Sequence, residues 1–299
     1  MRYNGYMRSK IEGSIFGFLI GNALGFRCKN QALSSSMIVH QLPRYYSDAG
    51  AMFLCVMNSL LNSEKVNLED IMFNFNEWYV GGFLASKEGI QSNSSISQSI
   101  RMYGNGMPPD RCGSSDSEID NTALTYMLPI ALWNIYENVE KTISDAQLVT
   151  NITNQQIEAQ ICSALYCLMI RSFLLGKREK TSQVLLDVYK SGDMKEYIEI
   201  LDKIIIVPEH VSSTYDLLDS FWTTNKIFAK YRNNFEKALQ EVIVLTNDCE
   251  NNAALVGSLV GVEVGIEKIP KRWLDQLELT EEVRDIVGRF VDKIVDKNP

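Results

Sequence analysis

The sequence predicts an all-α protein, and three observations support that prediction. Apolar residues recur at helical spacing through most of the 299 residues. Two segments carry glycine or alanine at every fourth position, which favours helices packed backbone against backbone. The one run typical of a β-strand is 204–207, and four residues do not make a sheet. Because no repeat and no clear linker breaks this pattern, we expect one domain over residues 1–299.

The two small-residue ladders define the helices expected to lie at the centre of the protein. The first ladder lies in residues 10–26 and the second in residues 246–265. Their small residues are Gly13, Gly17, Gly21 and Gly25 in the first, and Ala253, Gly257, Gly261 and Gly265 in the second. Glycine costs about 1 kcal/mol relative to alanine inside a helix, so repeated glycines need a packing reason. We therefore expect these two helices to cross closely in the core.

Caps and breakers predict where several other helices begin or end. Ser47 or Asp48 is the natural N-cap of a buried helix, Asn67 caps an amphipathic helix that reaches residue 87, and Thr280 caps the last helix. Pro129 is expected to interrupt or kink the helix over residues 119–138. Further helices are predicted over 154–176, 215–231 and 234–244, with two shorter charged ones within 180–203.

Residues 86–117 are predicted to form a long irregular segment, because Gly, Pro, Asn and Ser are dense there. A loop of this length in a compact domain is more often functional than accidental. No motif within it specifies a chemistry on its own.

Composition excludes several functional classes. The net charge is −8 and no Lys/Arg run is strongly basic, which argues against a nucleic-acid partner. No stretch reaches 18 continuous apolar residues, so no membrane association is expected. The six cysteines are scattered without a CxxC pair and predict reduced core thiols in a cytoplasmic protein. They are Cys28, Cys55, Cys112, Cys162, Cys167 and Cys249.

Acidic side chains lie at the start of two predicted helices. Asp248 and Glu250 precede and open the second laddered helix, and Asp48 opens the buried helix after residue 47. Such acids can cap a helix or complement its dipole. The residues alone leave open whether these carboxylates do chemistry.

Several stretches together resemble the ADP-ribosylglycohydrolase family of all-α, dinuclear-magnesium enzymes. Residues 13–25 (GSIFGFLIGNALG) are similar to the family's opening helix, GxxxGxxxGDALG. Residues 47–50 (SDAG) fall on its first metal motif, Thr-Asp-Asp-Thr, and residues 246–251 (TNDCEN) on its second, Gly-Gly-Asp-x-Asp-Thr. Residues 235–239 (FEKAL) and 269–274 (IPKRWL) look like two further family segments. The resemblance implies a compact, single-domain orthogonal helix bundle of the ADP-ribosylglycohydrolase type.

The resemblance also implies a site. The residues at its metal-ligand positions are Ser47, Asp48, Asp248, Glu250 and Asn251, with Asp48 and Glu250 as the catalytic candidates. The residues expected to contact the nucleotide are Asn22, which stands where the family has aspartate, and Tyr46 and Tyr103, whose rings could stack on an adenine.

Departures from the family motifs fall together at this site. Ala49 and Gly50 replace an aspartate and a threonine, Glu250 lengthens the second aspartate of its motif, and Asn251 replaces a hydroxyl. Magnesium prefers oxygen ligands in octahedral geometry, so each loss weakens the site. We expect one Mg²⁺ or none rather than two, with Asp48, Asp248 and Glu250 as the ligands of a single ion.

The sequence therefore favours a family member with eroded metal motifs. It would bind ADP-ribose, a related nucleotide or an ADP-ribosylated protein with weak or no hydrolysis, as a pseudoenzyme. One alternative is an active metal-dependent hydrolase that cleaves the glycosidic bond between ADP-ribose and a modified side chain. The other is a non-catalytic protein-interaction module.

Overall fold

A computed structural model describes residues 2–29, 31, 34–86, 94–177, 179–211 and 214–297, and within these ranges the protein is helical with no strand. The helices, in chain order, are α1 (Arg2–Cys28), α2 (Ser35–Ile38), α3 (Asp48–Ser63), α4 (Leu68–Gly81), α5 (Ser94–Gly104), α6 (Thr122–Thr125), α7 (Leu128–Trp133), α8 (Val139–Thr150), α9 (Ile157–Leu174), α10 (Thr181–Ser191), α11 (Lys195–Ile204), α12 (Leu217–Tyr231), α13 (Phe235–Leu245), α14 (Cys249–Val264), α15 (Lys271–Leu274) and α16 (Glu281–Asp296).

The two laddered helices, α1 and α14, cross with their backbones in contact. A Cβ atom added at Gly17 would lie within 3.0 Å of the carbonyl oxygen of Gly257, and one added at Gly21 equally close to that of Ala253. Real Cβ atoms essentially never come that close, so only glycine fits at these positions. The close crossing predicted from the ladders is confirmed.

Helix α14 is enclosed by the rest of the protein. Residues 251–262 are all buried, and α1, α9, α12 and α13 pack around them. Helix α9 is long and apolar enough to cross a membrane by length and composition alone, but 72% of it is buried inside the protein, as in a core helix. All six cysteines are buried and free of disulfide bonds.

Most of the predicted caps and breaks are present. The side chain of Asn67 accepts a hydrogen bond from the backbone N–H of Asp70, and that of Thr280 accepts one from Val283. Pro129 lies in the first turn of α7, where the missing backbone N–H would have no partner within the helix. The predicted helix is interrupted just before it, between α6 and α7. Helix α4 ends at Gly81, six residues earlier than predicted, because Gly82 adopts a left-handed conformation.

Two segments differ in local structure from what their residue types favour, and in the second of them our prediction was wrong. Residue 204 ends α11 and residues 205–207 continue as an exposed turn, because the apolar run has no neighbouring strand to pair with. Within the predicted irregular segment, α5 forms over Ser94–Gly104 and a 3₁₀ turn over Pro109–Arg111. Ile96 and Ile100, one helical turn apart, bury this otherwise polar helix. Residues 87–93 of that segment lie outside the described residues.

We predict that Gly17→Ala destabilises the protein by about 1–3 kcal/mol or more, because the new methyl group overlaps the α14 backbone. The matched control is Gly288→Ala in α16, where an added Cβ meets nothing within 4 Å. That substitution should stabilise the protein by roughly 0.5–1 kcal/mol through helix propensity. Urea denaturation of both variants measures the two changes, and equal effects would rule out the proposed packing constraint.

Candidate functional site

The side chain of Asn22 ties together the turns that open α3 and α14. Its Oδ1 accepts a hydrogen bond from the backbone N–H of Ser47 at 2.8 Å, and its Nδ2 donates to Ser47 Oγ at 2.9 Å. The same Nδ2 lies 3.5 Å from the carbonyl oxygen of Glu250. Asn22 is fully buried in α1, so the glycine-laddered contact holds it between the two turns.

Asp248 is buried at the entrance of α14 and is held by amide groups. It occupies the N-cap position, but its side chain makes no capping hydrogen bond. Its Oδ2 accepts a 2.5 Å hydrogen bond from Asn121 Nδ2, and Asn121 Oδ1 in turn accepts one from Asn251 Nδ2 at 2.9 Å. Asp248 Oδ1 has no hydrogen-bond partner among the described residues. Burial raises the pKa of Asp248 to about 6; the charge of Glu250 adds to that effect, and the Asn121 hydrogen bond opposes it.

Glu250 is paired with a lysine at the far end of α1. Lys29 Nζ lies 3.2 Å from Glu250 Oε1, and the two side chains are only 29% and 14% exposed. Glu250 Oε2 is buried and accepts no hydrogen bond from the described residues. Burial lowers the pKa of Lys29, but the Glu250 carboxylate outweighs it and the pKa is raised overall. The ammonium group is therefore charged and directed at one of the candidate metal ligands.

A small cavity lies where the two turns meet. Its volume is about 40 Å³, against the roughly 10–15 Å³ that one water molecule needs. It can therefore hold a few waters or a small ion, but not a nucleobase. The residues lining it are Phe26, Ser47, Asp48, Ala49, Met52, Ile96, Thr122, Thr125, Glu250 and Asn251.

A much larger cleft opens beside this cavity. Its volume is about 830 Å³, within the range of small-molecule and cofactor clefts. Ser95, which lines the cleft, is hydrogen-bonded at 3.1 Å to Thr122, which lines the small cavity, so the two spaces are neighbours. The cleft is lined by four carboxylates and by no lysine or arginine among the described residues. Its lining residues are Ser95, Gln98, Ser114, Asp116, Ser117, Glu118, Ile119, Asp120, Asn154, Thr214, Tyr215 and Asp216.

The structure does not bring the two predicted stacking tyrosines to either space. Tyr46 is buried and donates a 2.8 Å hydrogen bond to the carbonyl oxygen of Leu84. Its ring packs against Gly50, where an added Cβ would overlap it. Tyr103 donates to Glu69 Oε2 at 3.1 Å. Neither ring lines the small cavity or the cleft, so adenine stacking on them would require a rearrangement.

A model of the ADP-ribosylglycohydrolase family matches residues 5–299. The chain belongs to this family. It is 21% identical to the ADP-ribosylarginine hydrolase Tri1 of Serratia proteamaculans (strain 568), over 94% of this chain and 78% of that protein. Among solved structures it is similar to an ADP-ribosylglycohydrolase-related protein complex, with a TM-score of 0.73 and 21% identity over 96% of this chain and 99% of that one. The predicted all-α fold of this family is confirmed.

ADP-ribosylglycohydrolases are generally metal-dependent, and two of the acidic side chains at this site already accept hydrogen bonds from donors of the protein itself. Within the described ranges, no three His, Cys, Asp or Glu side chains converge closely enough to hold a metal ion. An octahedral ion needs about six oxygens, most of them free of competing donors. Here Lys29 donates to Glu250 and Asn121 donates to Asp248.

Sequence reasoning missed Lys29 and Asn121. A lysine just past a helix C-terminus is most simply explained by the helix dipole, so its sequence position does not point to the acid of a distant turn. Asn121 lies directly before α6 in the sequence Asp-Asn-Thr, which is typical of a cap. Its side chain instead reaches Asp248, 127 residues away in sequence. The only available signal was a run of polar residues opening a short buried helix.

We predict that Asn121→Ala lowers the free energy of unfolding by about 1–3 kcal/mol, because it leaves the buried Asp248 carboxylate without its donor. The matched control is Asn225→Ala, which removes a hydrogen bond to the carbonyl oxygen of Phe221 within α12. Because Asn225 is half-buried and has no charged partner, its loss should lower the free energy of unfolding by only about 0.5 kcal/mol. Urea denaturation compares the two, and an equal loss would contradict the role given to Asn121.

Proposed function

We propose that this chain binds an ADP-ribosylated partner, or ADP-ribose itself, where α3 and α14 begin, and hydrolyses the glycosidic bond weakly or not at all. The observation that carries this proposal is the pair of donors, Lys29 and Asn121, on the carboxylates that stand at the family's metal positions. In this proposal the metal motifs are eroded, while the small cavity between the two turns and the cleft beside it remain.

The chemistry of hydrolysis explains why these donors matter. In a family member with a complete site, the carboxylates at the positions of Asp48, Asp248 and Glu250 would hold magnesium, which would supply a Lewis acid and a bound water for attack at the anomeric carbon. Ala49 lines the small cavity with a methyl group where the family has a carboxylate. With Ala49 and Gly50 in the first motif, the protein offers fewer oxygens, and Glu250 is already neutralised. The polar residues that remain at the metal positions can orient a ligand and hold waters. This arrangement favours ligand binding over catalysis.

The two helix N-termini supply what an anionic nucleotide needs. The first backbone N–H groups of α3 and α14, each 16 residues long, point out of their helices. Asn22 holds these two ends together. Backbone N–H groups at such ends bind phosphate oxygens, and the Lys29 ammonium offsets the charge of Glu250 beside them.

The acidic cleft supports a partner carrying positive charge. Asp116, Glu118, Asp120 and Asp216 would repel a diphosphate and attract a guanidinium or lysine-rich peptide. One relative of this chain is an ADP-ribosylarginine hydrolase. We infer that an ADP-ribosylated arginine, with the protein that carries it, lies in the cleft while its ADP-ribose reaches the helix ends.

A specific observation favours a second candidate, a metal-dependent hydrolase with a single Mg²⁺. Asp248 Oδ1 and Glu250 Oε2 are buried carboxylate oxygens that accept no hydrogen bond within the described part of the chain. Buried oxygens of this kind attract a cation or ordered water. Asp48 lines the same small cavity and could contribute to the same ion.

We predict that ADP-ribose binds with the same dissociation constant, within about twofold, in EDTA and in magnesium, since the proposed contacts need no metal. Isothermal titration calorimetry measures both. In parallel, release of ADP-ribose from an ADP-ribosylated arginine peptide is assayed in magnesium. Metal-dependent binding together with release would support the hydrolase instead, and no binding of either ligand would contradict both candidates.

We also predict that Asp116→Asn/Glu118→Gln weakens binding of an ADP-ribosylated arginine peptide by about fivefold or more at low salt, while binding of free ADP-ribose changes little. The matched control is Glu281→Gln/Asp285→Asn, two exposed positions of α16, which removes the same charge away from the cleft. An equal loss in both double variants would show that net charge, and not the cleft, attracts the peptide.

A further inference from the structure

Lys29 is positioned by the fold to act on the acids of α14. Its backbone N–H is bonded to the carbonyl oxygen of Phe26, so it continues directly from the end of α1. The close contact of the two helices extends to this end, since a Cβ added at Gly25 would lie within 3.0 Å of the Cys249 carbonyl oxygen. The ammonium group therefore reaches Glu250 from a rigid element.

The charges around Lys29 are unbalanced without it. Asp248 and Glu250 lie in the entrance of one helix, the first fully buried and the second with a side chain 14% exposed. Two carboxylates withdrawn from water need a compensating cation or a proton. Lys29 is the one cation that forms an ion pair with Glu250 among the described residues. A divalent ion held by these carboxylates would supply the same compensation.

We propose that the Lys29 ammonium is the resident cation of this site, in the place of a divalent metal beside Glu250. An ammonium and a magnesium ion compete for the same carboxylate oxygens. Lys29 thus neutralises Glu250 and lowers the affinity of the site for magnesium. This inference rests on one part of the proposed function, the erosion of the metal motifs. It does not depend on which ADP-ribosylated ligand binds.

The test is the thermal stability of Lys29→Met, which removes the charge and keeps most of the aliphatic stem. In EDTA this variant should have a lower Tm than the wild type. Magnesium should then bind to the vacated carboxylates and raise its Tm by roughly 5 °C at saturation, whereas the wild-type Tm stays unchanged. Magnesium titration by calorimetry should show binding at least about tenfold tighter in the variant.

The matched control is Lys141→Met, which removes a lysine from another buried carboxylate, Asp145, one turn along the same helix, α8. It should also lower the Tm, with no response to magnesium. Lys29→Arg keeps the charge and should not respond either. Lys29→Met/Glu250→Gln removes both charges and should recover stability in EDTA while losing the magnesium response.

The outcomes separate this inference from the proposed function. No magnesium response in Lys29→Met, or an equal one in Lys141→Met, overturns the role of Lys29 and leaves metal-independent binding of ADP-ribose untouched. Equal magnesium affinities of the wild type and Lys29→Met overturn the inference, and only tight binding in both overturns the eroded metal site as well. If Lys29→Met is unfolded in EDTA, refolding of this variant on addition of magnesium supports the inference. If it stays unfolded in magnesium while Lys29→Met/Glu250→Gln is folded, the inference is overturned.

Discussion

The contact between the backbones of α1 and α14 is the constraint on which the rest of the structure depends. Carbonyl oxygens of α14 lie within 3.0 Å of where the Cβ atoms of Gly17 and Gly21 would be, so neither helix can rotate or slide without a collision. That contact fixes Asn22 on α1, and Lys29 directly after it, against the first turn of α14. The glycine contact between the two helices therefore positions Asn22 and Lys29 relative to Glu250.

Where the turns that open α3 and α14 meet, the polar side chains form a chain of paired donors and acceptors. Asn22 spans the two turns, Asn121 holds Asp248, and Lys29 holds Glu250. A carboxylate that already has a donor is a weaker ligand for a metal, because the ion must displace that donor before it binds. In the proposed function, the same arrangement shifts the site from metal binding towards direct ligand binding, and the acidic cleft favours a cationic partner.

Much of the fold, and less of the site, could be predicted from the sequence. The ladders, Asn67, Thr280 and Pro129 act through local spacing, which a sequence displays directly. Helix α5 was missed because its polar composition hides two isoleucines one turn apart. Residues 204–207 have β-branched side chains but no partner strand, so local propensity was overridden. The family motifs located Asp48, Asp248 and Glu250 in sequence. Lys29 and Asn121 reach them across 221 and 127 residues, and no local pattern encodes such pairs.

The most direct test of the account is a crystal structure of the wild-type protein grown with manganese, which replaces magnesium at oxygen sites and scatters anomalously. We expect no anomalous peak within ligand distance of Glu250, with Lys29 Nζ in contact with that carboxylate. One or two manganese peaks bound by Asp48, Asp248 and Glu250, with the lysine displaced, would contradict the central claim that this family member has exchanged its metal for a side-chain cation.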